Sequence, residues 1–162
     1  MKKGDAVDEL IYDVMSGHGL TKKKQMWYEI HTGGIRAVSF SRSRWRDKDN
    51  QEYDPELCFY PMEFLGDWSG KVPPSYEFPI RMSPMYSLGP KAWKEIKPAF
   101  DNAIEMEYAK RKKRIEFLLL EHFRPKYLKM TSFKRVQELY YKGILPDFAF
   151  AMPARQFILD KR

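Results

Sequence analysis

The sequence predicts an α+β fold: an N-terminal helix, a small antiparallel sheet built on a 25–46 hairpin, an extended proline- and aromatic-rich middle and a helical C-terminal third. Three observations predict it. Apolar residues recur at three- and four-residue steps in 5–16, they alternate with polar ones from residue 26, and neither Gly nor Pro occurs between Ala99 and Arg124.

In the first element, Ala6, Val7, Leu10, Ile11, Val14 and Met15 line one face of a helix over 5–16. Asp5, Asp8 and Glu9 suit the positive end of its dipole, and Gly17 and Gly19 end it. A loop carrying Lys22, Lys23 and Lys24 follows. Met26, Tyr28 and Ile30 then alternate with Trp27, Glu29 and His31, the two-residue period of a strand. Gly33-Gly34 supplies a tight turn with positive φ, and Ile35 to Trp45 is the return strand.

Between Gln51 and Pro90, prolines at 55, 61, 73, 74, 79, 84 and 90 are too frequent for a central strand or a long helix. Aromatic residues run through the same stretch, so it is expected to be an extended segment pinned either on the domain's own core or on a partner, with short strands at 57–60 and 76–81. Pro90 opens a short helix that Pro98 ends or bends. A long helix is expected from about Ala99 to Phe123, and Ser132 caps a shorter one reaching Lys142 before Gly143. The tail, 144–162, is expected to pack along the surface.

A chain of 162 residues suits a single domain, 1–162, which buries roughly 70% of its unfolded surface without a disulfide or metal. With one cysteine, Cys58, no internal disulfide forms, which points to a reducing compartment. No apolar run follows the basic start, and Phe117 to Leu120 is far short of the ~20 residues of a membrane span. A soluble, cytoplasmic protein with no membrane partner is the expectation.

The charge directs attention to polyanions. Twenty-nine Lys and Arg against 22 Asp and Glu leave +7, with a pI near 9.4. Arg36, Arg42, Arg44 and Arg46 have even numbers, so on one strand they share a face. Neighbours in the last three would stand roughly 6.6–6.8 Å apart, close to the phosphate repeat of an extended nucleic-acid strand. The ordinary alternative is a charged edge that blocks strand-to-strand aggregation. Lys110, Arg111, Lys112, Lys113 and Arg114 make a second cluster within the long helix, where Glu107 is placed to neutralise Arg111. Trp27, Tyr28 and Trp45 offer rings for base stacking, although an aromatic in a strand is more often core.

Catalytic signals are thin. His18, His31 and His122 belong to no metal-ligand spacing, and neither GxxxxGK[ST] nor GxGxxG occurs, so no cofactor is expected. Glu95-Ile96-Lys97 has the spacing of a nuclease Glu-x-Lys, but that chemistry requires a strand where the pattern indicates helix. Cys58 with a distant His has no local support as a nucleophile pair. The expected function is therefore non-catalytic binding of RNA or DNA along the phosphate backbone, with weak sequence preference, through Arg36, Arg42, Arg44, Arg46 and Trp45 with Lys110, Arg111, Lys113 and Arg114. The alternative is a protein-binding module, either a small subunit of a larger (for instance ribonucleoprotein) complex or a viral or plasmid-type inhibitor of a host complex. It would meet its partner through Tyr60, Trp68, Tyr76 and Phe78.

Overall fold

The computed structural model describes residues 5–43, 45–47 and 50–144. Arg44 and the tail from residue 145 onward lie outside the described residues. The fold is α+β. Helix α1 (Ala6–Met15) starts where the Asp5 carboxylate accepts the Asp8 backbone N–H, and it buries the apolar face read from its periodicity. Five antiparallel strands follow in simple order, each paired with its sequence neighbours: β1 (Thr21–Lys23), β2 (Met26–His31), β3 (Gly34–Arg42), β4 (Tyr53–Pro61) and β5 (Ile80–Met82).

The hairpin turn is Thr32-Gly33, with His31 paired to Gly34. Close approach makes glycine necessary at both positions, and Gly34 also has positive φ, 146°. A Cβ on Gly33 would lie 1.7 Å from the Thr131 carbonyl oxygen, and one on Gly34 would lie 2.2 Å from that of Tyr60. The return strand ends at Arg42 instead of running to Trp45.

The middle segment corrects the sequence reading most. β4 is nine residues long and lies between β3 and β5, despite Pro55 and Pro61. The register explains how. The Phe40 N–H donates to Gln25, on the side away from β4, so its partner Pro55 sits at a position that donates nothing to β3. On Pro55's other side, β5 reaches only to Leu57, so no ladder bond is lost there either.

After β5 come α2 (Pro84–Leu88) and α3 (Pro90–Ile96), each with proline in its first turn, and a 3₁₀ turn, Lys97–Phe100. The long helix begins at Tyr108, not Ala99, because Asp101–Glu107 is drawn into contacts with the 46–52 loop. It also continues past Pro125. The chain passes from α4 (Tyr108–Glu116) through a π-helical stretch, Phe117–Phe123, into α5 (Arg124–Lys129). The Arg124 N–H reaches back to Leu119, so the wider turns absorb the donor that Pro125 lacks. α6 (Phe133–Tyr141) is capped by Ser132 and closed by Gly143 at φ 74°, as its sequence signals predict.

Both faces of the sheet are covered. Trp27, Val38, Phe40, Tyr53, Leu57 and Phe59 pack against the helices, around Phe100, Ile115, Phe123 and Leu139. Met26, Ile35, Ala37 and Cys58 on the other face pack against Val72 and Phe78 of the 62–79 segment. That segment is thus a third layer of the protein's own core. Among the described residues no helix is long and apolar enough to cross a membrane.

The turn gives the first test. Gly33→Ala is expected to lower stability by about 1–3 kcal/mol in urea unfolding, because backbone must move to admit the methyl. Gly17→Ala, whose Cβ meets nothing within 4 Å, is expected to cost only its left-handed backbone, about 1 kcal/mol.

Candidate nucleic-acid interface

The arginines expected to form a row do not form one. Arg36 and Arg42 do share a face, but it is the face that carries Val38 and Phe40 and lies under the helices. Arg36 is 12% exposed. Its Nη1 donates to the Tyr127 and Leu128 carbonyls at 3.2 and 3.4 Å, and its Nη2 donates to both Glu29 oxygens at 3.3 Å. The guanidinium lies 4.6 Å from the centre of the Tyr127 ring, whose hydroxyl donates to the same Glu29. Arg36 therefore closes the end of α5 against the sheet and is not available to a polyanion. Arg46 lies in the β3–β4 loop, where it pairs with Asp101 at 2.5 Å and Glu52 at 3.2 Å. Arg42 is exposed at the end of β3, 5.8 Å from the Tyr53 ring centre, with the Gln25 side-chain amide facing its guanidinium.

The helical cluster divides in the same way. Arg111 is 6% exposed and donates to three carbonyls: Ala99 at 2.8 Å, Asp101 at 3.1 Å and Ile104 at 2.5 Å. One planar fork thus fixes the whole turn between the 3₁₀ segment and α4. Arg114 donates to the Glu95 carbonyl, the end of α3, at 2.6 Å. Lys112 pairs with Glu116. Lys110 and Lys113 are exposed and make no ion pair among the described residues.

A polar cluster joins these parts at one end of the sheet. The Tyr53 hydroxyl donates to the Asp5 carboxylate, which also accepts from the Asn102 amide at 2.7 Å. Asn102 donates to the Gln51 carbonyl and accepts from the Val7 N–H, and Asp101 sits between Arg46 and Arg111. Burial first, then the Asp5 carboxylate, raise the Tyr53 hydroxyl well above its usual range.

The aromatics are equally sorted. Trp27 is core, edge-on to Tyr12 at 5.6 Å. Phe78 is buried and meets Tyr60 at 5.4 Å, and Trp68 donates to the Lys71 carbonyl at 2.7 Å. These three residues of the expected partner surface serve the third layer. Tyr76, by contrast, is 72% exposed, and Trp45 is 95% exposed in its loop.

The sequence reading passed over a groove of about 850 Å³ on the second face of the sheet. Lys24, Ser41, Lys71 and Tyr76 line it. Lys24 is the one non-glycine residue with positive φ among those described, at 54°. The lysine run at 22–24 and the Pro73-Pro74 pair were its traces in the sequence.

Among the described residues, the catalytic candidates raised by the sequence do not come together. Cys58 is fully buried, and burial pushes its thiol up to about 12, which leaves it without nucleophilic character. Glu95 and Lys97 are not on a strand, since α3 ends between them. Ser87 and His122 are 2.8 Å apart, but no carboxylate hydrogen-bonds the other ring nitrogen among the described residues. Burial, and then Lys126, pull His122 down to about 4, so the ring is neutral and ties α2 to the long helix. Among the described residues no three His, Cys, Asp or Glu converge as metal ligands. No protein family, curated protein or solved structure matches the chain.

Two outcomes follow from these contacts. Arg111→Lys replaces a fork serving three carbonyls with one ammonium and is expected to cost about 1–3 kcal/mol in thermal or urea unfolding. Lys113→Ala, two residues away on the same helix, is expected to stay within about 0.5 kcal/mol of the parent. The second outcome concerns acid. His122 binds protons less readily folded than unfolded, so its contribution is complete above its ordinary value of 6.5 and is lost as pH falls toward about 4. His122→Gln is expected to flatten the decline of the unfolding midpoint across that window.

Proposed function

We propose that this protein binds single nucleic-acid strands through their phosphate backbone, without catalysis and with weak sequence preference. The observation that carries the reading is Trp45, 95% exposed in a loop that follows the exposed Arg42. An indole that contributes nothing to the core, three positions after Arg42 in a protein of net charge +7, suits a stacking platform of the kind single-strand binders use. Cations available to phosphates include Arg42, Lys24, Lys71, Lys110 and Lys113, all exposed and none in an ion pair among the described residues. Arg36, Arg46, Arg111 and Arg114, held by carbonyls and carboxylates, are withdrawn from the interface, and Arg44 lies outside the described residues. Contacts of this kind neutralise charge without reading bases, hence the weak preference.

The protein-binding alternative drew on the 51–90 segment, of which 62–79 here covers the chain's own sheet, and on the apolar tail, which lies outside the described residues from 145 onward. No separate observation favours it.

Fluorescence titration with a labelled 20-nucleotide single strand is the test. Engaging about four phosphates gives a logarithmic salt slope near −2.8, so raising salt from 50 to 200 mM is expected to weaken binding about 50-fold. Trp45→Ala is expected to lose about 1–3 kcal/mol of affinity. No binding at 50 mM salt sinks the reading.

A further inference from the structure

The groove on the second face of the sheet has three walls of different chemistry. Its first wall is the β1–β2 turn with Lys23, Lys24 and Gln25, its floor is the end of β3 from Ser39 to Ser41, and its third wall is 69–77. Its width is fixed, because the Lys23 ammonium crosses to the Val72 carbonyl at 2.7 Å. With Lys23 so used, Lys24 and Lys71 remain as exposed cations without an ion-pair partner among the described residues.

Tyr76 stands on the third wall, and the chain around it is stiff. Pro73 and Pro74 fix φ immediately before it, a 3₁₀ turn (Ser75–Glu77) contains it, and Phe78 two residues later is buried in the second core. An aromatic ring 72% exposed on so rigid a mount has no role in the packing below it. Such a mount keeps the ring available for a ligand with little ordering entropy left to lose. Glu77 beside it accepts hydrogen bonds and repels phosphate, so the chemistry of the groove divides into a cationic part and an aromatic, acceptor-bearing part.

Resting on the nucleic-acid reading above, we propose that this groove seats one unstacked nucleotide of a bound single strand. Lys24 and Lys71 take its phosphates, Tyr76 stacks on its base, and the Glu77 carboxylate accepts from an exocyclic amino group where the base has one. The volume, about 850 Å³, lies within the ordinary range for ligand sites. Trp45 follows Ser41 on the groove floor by four positions in the sequence, an upper bound of about 14 Å for extended chain. A base inside a duplex has both faces stacked and would have to be extruded to meet Tyr76, so the site selects single strands.

The test compares a labelled 12-nucleotide single strand with the same sequence as a duplex, by fluorescence anisotropy at one low salt concentration. The single strand is expected to bind about tenfold more tightly than the duplex. Tyr76→Ala is expected to weaken single-strand binding about tenfold and leave duplex binding unchanged, with Tyr76→Phe close to the parent. The double variant Lys24→Ala/Lys71→Ala is expected to reduce the logarithmic salt slope by about 1.4. Exposure of all three side chains makes retained folding expected, which circular dichroism checks. Equal binding of both forms with no effect of Tyr76→Ala overturns the groove assignment and leaves backbone binding standing. Failure of both forms to bind overturns the reading beneath it. A mononucleotide is expected to compete better than inorganic phosphate, and equal competition reduces the groove to a phosphate site and overturns the role of Tyr76.

Discussion

Buried backbone carbonyls need donors, and in this protein arginine side chains supply them. A helix ends with carbonyl groups that have no intrahelical partner, and a sharp turn leaves others exposed to a dry interior. Arg36 meets the last carbonyls of α5 and at the same time the Glu29 carboxylate, so the long helix docks on the hairpin through one side chain. Arg111 gathers the carbonyls of Ala99, Asp101 and Ile104, and Arg114 takes that of Glu95. Arg111 is thus the side-chain donor to three carbonyls of the non-helical stretch before α4. Guanidinium suits the task because it offers several donors in fixed directions and is less strongly hydrated than ammonium. The relative placement of sheet, α3 and the long helix all depends on this one kind of contact.

That use of arginine divides the positive charge by chemistry. Arg36, Arg46, Arg111 and Arg114 are held by carbonyls and carboxylates, while most of the lysines, together with Arg42 and Arg124, are exposed. A surface whose free cations are chiefly ammonium groups attracts phosphate as point charges and has little directional specificity. Rings must then do the selecting. The two most exposed aromatic side chains described, Trp45 and Tyr76, stand at the end of β3 and beside the groove that β3 floors. Stability and binding thus draw on different residues, which lets surface substitutions alter binding with little effect on folding.

Much of the fold was legible where the signals were local. α1 followed from its apolar steps and Asp5, the β2–β3 hairpin from alternation, and α6 from Ser132 and Gly143. The errors arose where a distant partner decided the outcome. Pro55 is harmless in β4 only because of how β3 registers against it and where β5 stops. Residues 101–107 contain no helix breaker, yet Gln51, Arg46 and Arg111 hold their first residues out of the helix. Pro125 does not end the helix because a π-helical stretch absorbs it. Parity correctly placed Arg36 and Arg42 on one face, but it did not say which face is buried. The signal was available: Val38 and Phe40 have the same parity and identify that face as core. The groove was invisible because its walls come from three separated segments.

The most direct measurement of this division is hydrogen exchange of the arginine guanidinium groups, followed by nitrogen-15 NMR of the intact protein. Arg36 and Arg111, locked on carbonyls, are predicted to show slow exchange and restricted rotation of their Nη groups, while Arg42 exchanges and rotates freely. Equally fast exchange at all three would show that the guanidinium groups do not hold the helix ends, and would contradict the account.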